Sequence, residues 1–501
     1  MVKKSPAYWA NLLHFYQPYG QKRSIIHAIV GQCYRPIAEG ILANPNARLT
    51  INFTGVLLDQ LANFGHRDVI DLYAQAAQKG QVEFVGSAKF HAILPLLPQS
   101  EAMRQIKVND DTNRLYFGDL YKPKGFFLPE QAWDPALAPL LERAGFEWVL
   151  LDELACNGKV GQVDYAKTYK IAGSGLKALF REHNLSATLM SAGVRDIENL
   201  KVAADASLSR HRAIITAMDG ETFGHHRIGH EQVLFDMFRD PYINLILMSD
   251  VFTRFPTSQT EPTVACTWAS SEEDLERGIQ FISWDDPHND IHKLQWELLH
   301  LTVRELDRLP ENNPAYGALR IQLDQAESSD QFFWAAAKPW WMIEHIERGA
   351  HELLDVLQNI PNVDSGQASK GLALYHDILS LAYDWQRTGK IDSGLEKRDT
   401  NIRIPFKEST IEADDQTTWH AIIDLLKNEE QLAAARSDYE AAILWRNAIY
   451  KLEHKLDIYD AEYVIDVLRK KLPARKIEET IAKYKSQYDH IRGGQVEQRS
   501  N

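Results

Sequence analysis

The chain has 501 residues, 45% hydrophobic and 25% charged, the balance of an ordinary folded protein with a large core and room for two or three domains. A net charge of −14 without any long basic block excludes nucleic acid as the expected main partner, since phosphate binding needs clustered Lys and Arg. No stretch approaches the ~20 apolar residues that span a bilayer. Cys33, Cys156 and Cys266 are odd in number and lack CxxC spacing, and Met1–Pro6 runs into a first strand without an apolar leader, so free thiols and a cytoplasmic location are expected.

Short apolar runs read as strands at Tyr8–Leu13, Leu49–Phe53, Val82–Val85, Gly125–Leu128, Trp148–Leu151, Ala213–Met218 and Thr263–Thr267. Longer mixed segments such as Val56–Gln78 and Glu101–Phe117 read as helices between them. This alternation predicts an α/β fold: an incomplete (β/α)7 barrel over residues 1–289, with an inserted subdomain near 157–212 around Gly173-Ser174-Gly175. From about residue 290 the period turns helical. Leu374, Ile378, Leu381 and Trp385 form one stripe, Trp445, Ile449, Leu452 and Leu456 a second, and Ile477, Ile481, Tyr484, Tyr488 and Ile491 a third. A C-terminal helical bundle domain over 290–492 is expected, contributing to the cleft, with a polar loop at Gln386–Asn401 and a disordered tail at 493–501.

Chemistry gathers where the strands end. His14 follows the first, Asn52 and Thr54 flank the end of the second, Ser87 and Lys89 follow the third, Glu130 the fourth, Asp152 and Glu153 the fifth, Asp219 the sixth and Trp268 the seventh. The carboxyl end of a parallel barrel is where catalytic groups sit. Glu130 and Asp219, each closing an apolar run from a different strand, form the carboxylate pair that glycoside cleavage needs. Plainer readings stand beside this one: a helix N-cap or Asx-turn for Asp219 before Gly220, a core histidine for His14, an ion-pair partner for Glu83. His226 and His230 are four apart, but Gly229 weakens a helix there and neither HExxH nor a His-x-Asp partner accompanies them, so no metal and no cofactor is expected. Asp330 with Trp334, Trp340 and Trp341 forms an aromatic patch suited to lining a cleft.

Five regions in order resemble glycoside hydrolase family 57: His14-Phe15-Tyr16-Gln17-Pro18; Gly80 to Gly86, continuing through His91 to Leu94-Pro95; the segment containing Glu130; Asp219-Gly220-Glu221-Thr222-Phe223-Gly224; and Ser328 to Trp334. The resemblance spans residues 8 to about 341. It implies a retaining enzyme on α-1,4-linked glucans, an α-amylase or 4-α-glucanotransferase, with Glu130 as nucleophile and Asp219 as acid/base. It makes His14, Gln17, Glu83, His91, Trp133, Glu221, His226, Trp268, Asp330, Phe333 and Trp334 substrate-binding candidates. Phe127 and His226 stand where many members carry Trp, which bears on substrate and chain length. The implied partner is an α-glucan or maltooligosaccharide, and the sequence fixes no oligomeric state. The competing readings are a metal-dependent deacetylase or α-mannosidase on a related barrel, and a non-catalytic carbohydrate-binding protein.

Overall fold

The computed structural model describes residues 6–192, 194, 196–259, 262–337, 340–393, 416–453, 468, 471–473, 475–477, 479–480 and 482–483. Expectations at Leu456, Ile481, Tyr484, Tyr488, Ile491, residues 394–401 and the tail lie outside these residues. Two compact units are formed. One holds residues 1–220 and 235–403; the other holds 221–234 and 404–501. The expected boundary at 289/290 falls inside the first of these units.

In the first unit β1 (Tyr8–Phe15), β2 (Leu49–Phe53), β3 (Val82–Phe84) and β8 (Ala213–Asp219) form a parallel sheet in the order β3-β2-β1-β8, with the short β9 (Leu245–Ile246) also paired to β1. β1 and β2 are buried almost throughout, as strands covered on both faces must be. The register sets His14 level with Asn52 on one side and Asp219 on the other. A second sheet runs β10-β6-β7-β5-β4, from β4 (Gly125–Phe127), β5 (Trp148–Asp152), β6 (Thr168–Lys170), β7 (Lys177–Arg181) and β10 (Thr257–Gln259). The sheets meet twice: through a parallel bridge between Gly86 and Phe126, and where the Glu182 N–H donates to the Ile215 carbonyl at 2.7 Å.

Six expected strands are present, with ends shifted by at most two residues. The seventh is not. Thr263–Thr267 stays irregular: Cys266 and Trp133 exchange backbone hydrogen bonds of 2.8 and 3.1 Å in an antiparallel bridge, and the Val264 N–H donates to the Ala155 carbonyl at 3.0 Å. The additional parallel strand is β7, inside the span read as an insertion; it pairs with β5 over its whole length, so 157–212 is not wholly an insertion.

The helix Gln99–Phe117 backs β2 with an unusually polar face: Asn109 Oδ1 accepts the Gly55 N–H at 2.7 Å, and Asn113 Nδ2 donates to the Phe53 carbonyl at 3.1 Å. After Asn289, whose side chain caps Ile291 and His292, the helices Asp290–Leu306, Tyr316–Ala326, Ile343–Asn359 and Ser365–Thr388 bury their apolar stripes in the same core as the sheets. Leu374, Ile378 and Trp385 are buried there and Leu381 packs against them. The expected loop from Gln386 is shorter than read. The helix continues to Thr388, ends at left-handed Gly389, and a short helix follows at Lys390–Ser393. In the second unit the helices Gln416–Ala435 and Tyr439–Glu453 share a core that includes Ile422, Leu426, Trp445, Ile449 and Leu452. Among the described residues no helix is long and apolar enough to cross a membrane.

Candidate active site

Pro129-Glu130-Gln131 makes a tight turn directly after β4. Glu130 (φ 56°, ψ 15°) and Gln131 (φ 46°) both sit in the left-handed region, which costs a non-glycine residue about 1–3 kcal/mol and is held only where surroundings over-determine it. The irregular loop 263–270 does the holding. The Cys266–Trp133 bridge carries it across the end of β4. The Trp268 N–H then donates to the Glu130 carbonyl at 3.2 Å, and the Trp268 indole Nε1–H donates to Glu130 Oε2 at 2.7 Å. The segment that failed to become a strand is thus what orients the carboxylate.

Asp219 ends β8 and is followed by Gly220, where a Cβ would overlap the Phe15 ring. Only glycine lets the chain pass this close to the Phe15 ring as it leaves the sheet. Behind this strand Arg181, at the end of β7, is almost fully buried. It donates to Asp152 Oδ2 at 2.6 Å and to the Ala217 carbonyl at 2.8 Å, and its guanidinium carbon lies 5.5 Å from the centre of the Trp268 ring. His183 Nδ1 lies 3.1 Å from both oxygens of Asp152. One cation therefore braces the strand carrying Asp219 and the ring gripping Glu130.

A third group comes from β1, the loop after β3 and the Ser328–Phe333 segment. His14 Nδ1 lies 2.6 Å from Asn52 Oδ1, His14 Nε2 3.0 Å from His91 Nε2, and His91 Nδ1 2.9 Å from Ser329 Oγ. Burial lowers the His14 pKa to about 4, against the pull of Asn52. Burial and the neighbouring His14 lower His91 well below its ordinary value. Both rings are then neutral, and the network assigns their protons: His14 Nδ1–H donates to Asn52, His91 Nε2–H donates to His14, and the Ser329 hydroxyl donates to His91 Nδ1. His91 Nδ1 stands 3.9 Å from Glu130 Oε1, a contact with a neutral ring and so no ion pair. The Tyr16 ring stacks on His91 at 4.0 Å and 10°, and its hydroxyl donates to Asp330. Phe127, where a Trp is frequent in the resembled family, stacks on His14 at 4.6 Å.

Electrostatics single out the two acids. Burial pushes the Glu130 carboxyl up to about 8, with further increases from the Asp219 and Asp330 charges; the Trp268 N–H opposes them. Burial pushes Asp219 up to about 6 against the nearby Arg181 cation. Two such carboxyls near one another hold one proton between them over the range separating these values.

The other sequence candidates divide. Phe333 and Trp334 lie in an aromatic cluster with Trp284, Trp340 and His345. Trp341 turns away from that cluster to stack on Trp385. Gln17 is buried and accepts from Gln21 at 3.0 Å. Trp133 offers no sugar platform, because it is fully buried with its indole N–H on Thr263 at 3.0 Å. Glu83 lies below the rim, accepting from the Thr50 hydroxyl at 2.6 Å and the Ser249 N–H at 3.0 Å. It serves the start of the helix Met248–Arg254. Glu221 and His226 belong to the second unit, where the Glu221 carbonyl accepts the His226 N–H at 2.7 Å. Sequence reasoning missed Arg181 altogether. An arginine ending an apolar run, Ala178-Leu179-Phe180, was the available signal.

A family model described as glycosyl hydrolase family 57 matches residues 3–264. The chain is 28% identical over 256 residues to an α-amylase of Pyrococcus horikoshii, covering 48% of this chain and 40% of that protein. It therefore spans less than half the length of this curated relative. Among solved structures it is similar to a 4-alpha-glucanotransferase from Thermococcus litoralis (TM-score 0.56, 18% identity, 71% of this chain and 60% of that one). It is also similar to a branching enzyme from Pyrococcus horikoshii (TM-score 0.58, 15% identity, 75% of this chain and 95% of that one). At these identities the structures speak for the fold.

Proposed function

The chain belongs to glycosyl hydrolase family 57, and from that premise we propose that it is a retaining enzyme on α-1,4-linked glucans, working through a covalent glycosyl-enzyme as an α-amylase or a 4-α-glucanotransferase. The observation that carries this reading is geometric: Glu130, in the turn after β4 and held by Trp268, and Asp219, at the end of β8, are two acids brought to the ends of different parallel strands, and burial raises both. The relatives named α-amylase and 4-alpha-glucanotransferase support the substrate class.

In this reading Glu130 attacks C1 while Asp219 protonates the departing oxygen. In the free enzyme the shared proton rests on Glu130, the acid with the higher pKa, whereas the reaction needs it on Asp219. Substrate makes the exchange favourable: a glycosidic oxygen at Asp219 accepts a hydrogen bond only from the protonated acid, and the Trp268 N–H stabilises an ionised Glu130. Glycosylation then removes the Glu130 charge, the Asp219 pKa falls, and Asp219 takes the proton of water or of an acceptor hydroxyl. His14, His91, Asp330, Trp268, Phe333 and Trp334 are assigned to the sugar-binding surface.

The fold reading is a sevenfold ring, β1-β2-β3-β4-β5-β7-β8, supported by the Gly86–Phe126 bridge and the Glu182–Ile215 hydrogen bond. The helices after residue 290 complete the cleft through Asp330 rather than forming a detachable module. Incubation with maltoheptaose and sizing of the products tests the function. Shorter products alone mean hydrolysis, longer ones transfer, and new α-1,6 linkages branching. Unchanged maltoheptaose, or equal turnover by Glu130→Gln, overturns the reading.

A further inference from the structure

The first unit carries a groove of about 490 Å³ whose lining shares no residue with the candidate active site, formed where the start of the helix Ile343–Asn359 meets the end of the helix Ser365–Thr388. That is within the ~300–1,000 Å³ typical of small-molecule sites. Trp341, Tyr383, Met342, Glu344, Glu347 and Gln386 line it.

Trp341 is braced before any ligand arrives. Its ring stacks on Trp385 at 6.1 Å and 19°, its indole N–H donates to Gln386 Oε1 at 3.1 Å, and the Lys390 ammonium lies 3.9 Å from the centre of the Trp385 ring. Beside it Tyr383 is 60% exposed and Met342 37% exposed. An exposed ring and an exposed thioether beside a half-buried indole, rimmed by polar groups, mark a binding surface. Glu347 is positioned by accepting the Tyr375 hydroxyl at 2.9 Å. Flat aromatic faces suit the C–H face of a pyranose, and carboxylate and amide groups suit its hydroxyls.

We propose that this groove is a second, non-catalytic binding site for α-glucan chains, with Trp341 and Tyr383 as the stacking platform. The ligand class rests on the functional reading above. A site of this kind tethers a long polymer beside the enzyme, raising the effective concentration of its other segments at the cleft without touching the reacting bond. Short oligosaccharides, unable to span both places, gain nothing.

The experiment compares wild type, Trp341→Ala and Tyr383→Ala by migration in native gels containing amylopectin and by kinetics on amylopectin and on maltoheptaose. The expected result is retardation of the wild type that both variants lose, a rise of about tenfold in KM for amylopectin, and kcat/KM for maltoheptaose unchanged within about twofold. Tyr383, being mostly exposed, covers the case in which Trp341→Ala fails to fold. Retardation retained by folded variants, or maltoheptaose kcat/KM falling in step with amylopectin, overturns the proposal. Failure of the functional reading looks different: turnover is absent on both glucans, while retardation of wild type and Glu130→Gln, lost on Tyr383→Ala, still supports the site. An unretarded wild type overturns it whatever the kinetics.

Discussion

Two groups of three carboxylates lie in the same unit and are handled in opposite ways. Glu101, Asp324 and Glu327 are buried around Arg320, which bonds to all three. Arg104 grips Asp324 at 2.7 and 2.8 Å, Gln105 donates to Glu327 at 2.7 Å, and burial together with Glu101 pushes Glu327 well above the usual carboxylate range. Two arginines thus face these three acids. Glu130 receives the Trp268 indole N–H, Asp330 receives the Tyr16 and Ser328 hydroxyls, and the cation near Asp219, Arg181, is ion-paired with Asp152. Compensated charge holds helices together; charge left partly uncompensated is available for chemistry.

The contrast breaks most visibly by removing one acid. Glu130→Gln should lower kcat by about 10³-fold or more, while the melting temperature holds, because a neutral amide replaces a carboxyl that the fold disfavours in its charged form. Azide should partly restore Glu130→Ala. Wild-type rates from Glu130→Gln would end its assignment as nucleophile. In the other group, Arg320→Met should cost about 3–5 kcal/mol of stability by stranding buried acids, read by urea denaturation, with little change in kcat for the molecules that remain folded. Equal losses of stability in both variants would erase the distinction.

A pH profile sharpens it further. With Asp219 near 6 and Glu130 near 8, kcat/KM should fall below about 6, where both acids are protonated and no nucleophile remains. It should fall again above about 8, where both are ionised and no proton can be delivered. Because the Asp330 charge raises Glu130, Asp330→Asn should move the alkaline limb to lower pH; an unmoved limb would separate Asp330 from the pair. The smallest expected effect is that of EDTA: activity should persist, and its loss with recovery on added zinc would instead favour a metal-dependent reaction.

Much of this was legible in sequence because it is local. An apolar run that ends in an acid declares both a strand and a rim position, which located Glu130 and Asp219, and the ordered motifs brought in His14, His91 and Asp330. What stayed hidden depends on tertiary partners. Thr263–Thr267 has strand-forming residues, yet its backbone hydrogen bonds go to Ala155, to Trp133 and within its own loop rather than along a neighbouring strand. β7 is short, with a charged residue at each end, and disappears into a polar segment. Trp133 and Trp268 look alike as letters, but one is sealed in the core and the other grips a carboxylate. Glu83 has the composition of a rim acid at the wrong depth.

The grip on Glu130 has two points on one residue: Trp268 holds the main-chain carbonyl through its own backbone and the carboxylate through its ring. These are separable degrees of freedom. A Trp268→Phe change would cut the ring contact and leave the backbone tie, so the turn would keep its left-handed shape while the carboxylate gained torsional freedom. Residue 268 is in that sense a tuning peg for the reactive group, adjustable without restringing the sheet beneath it.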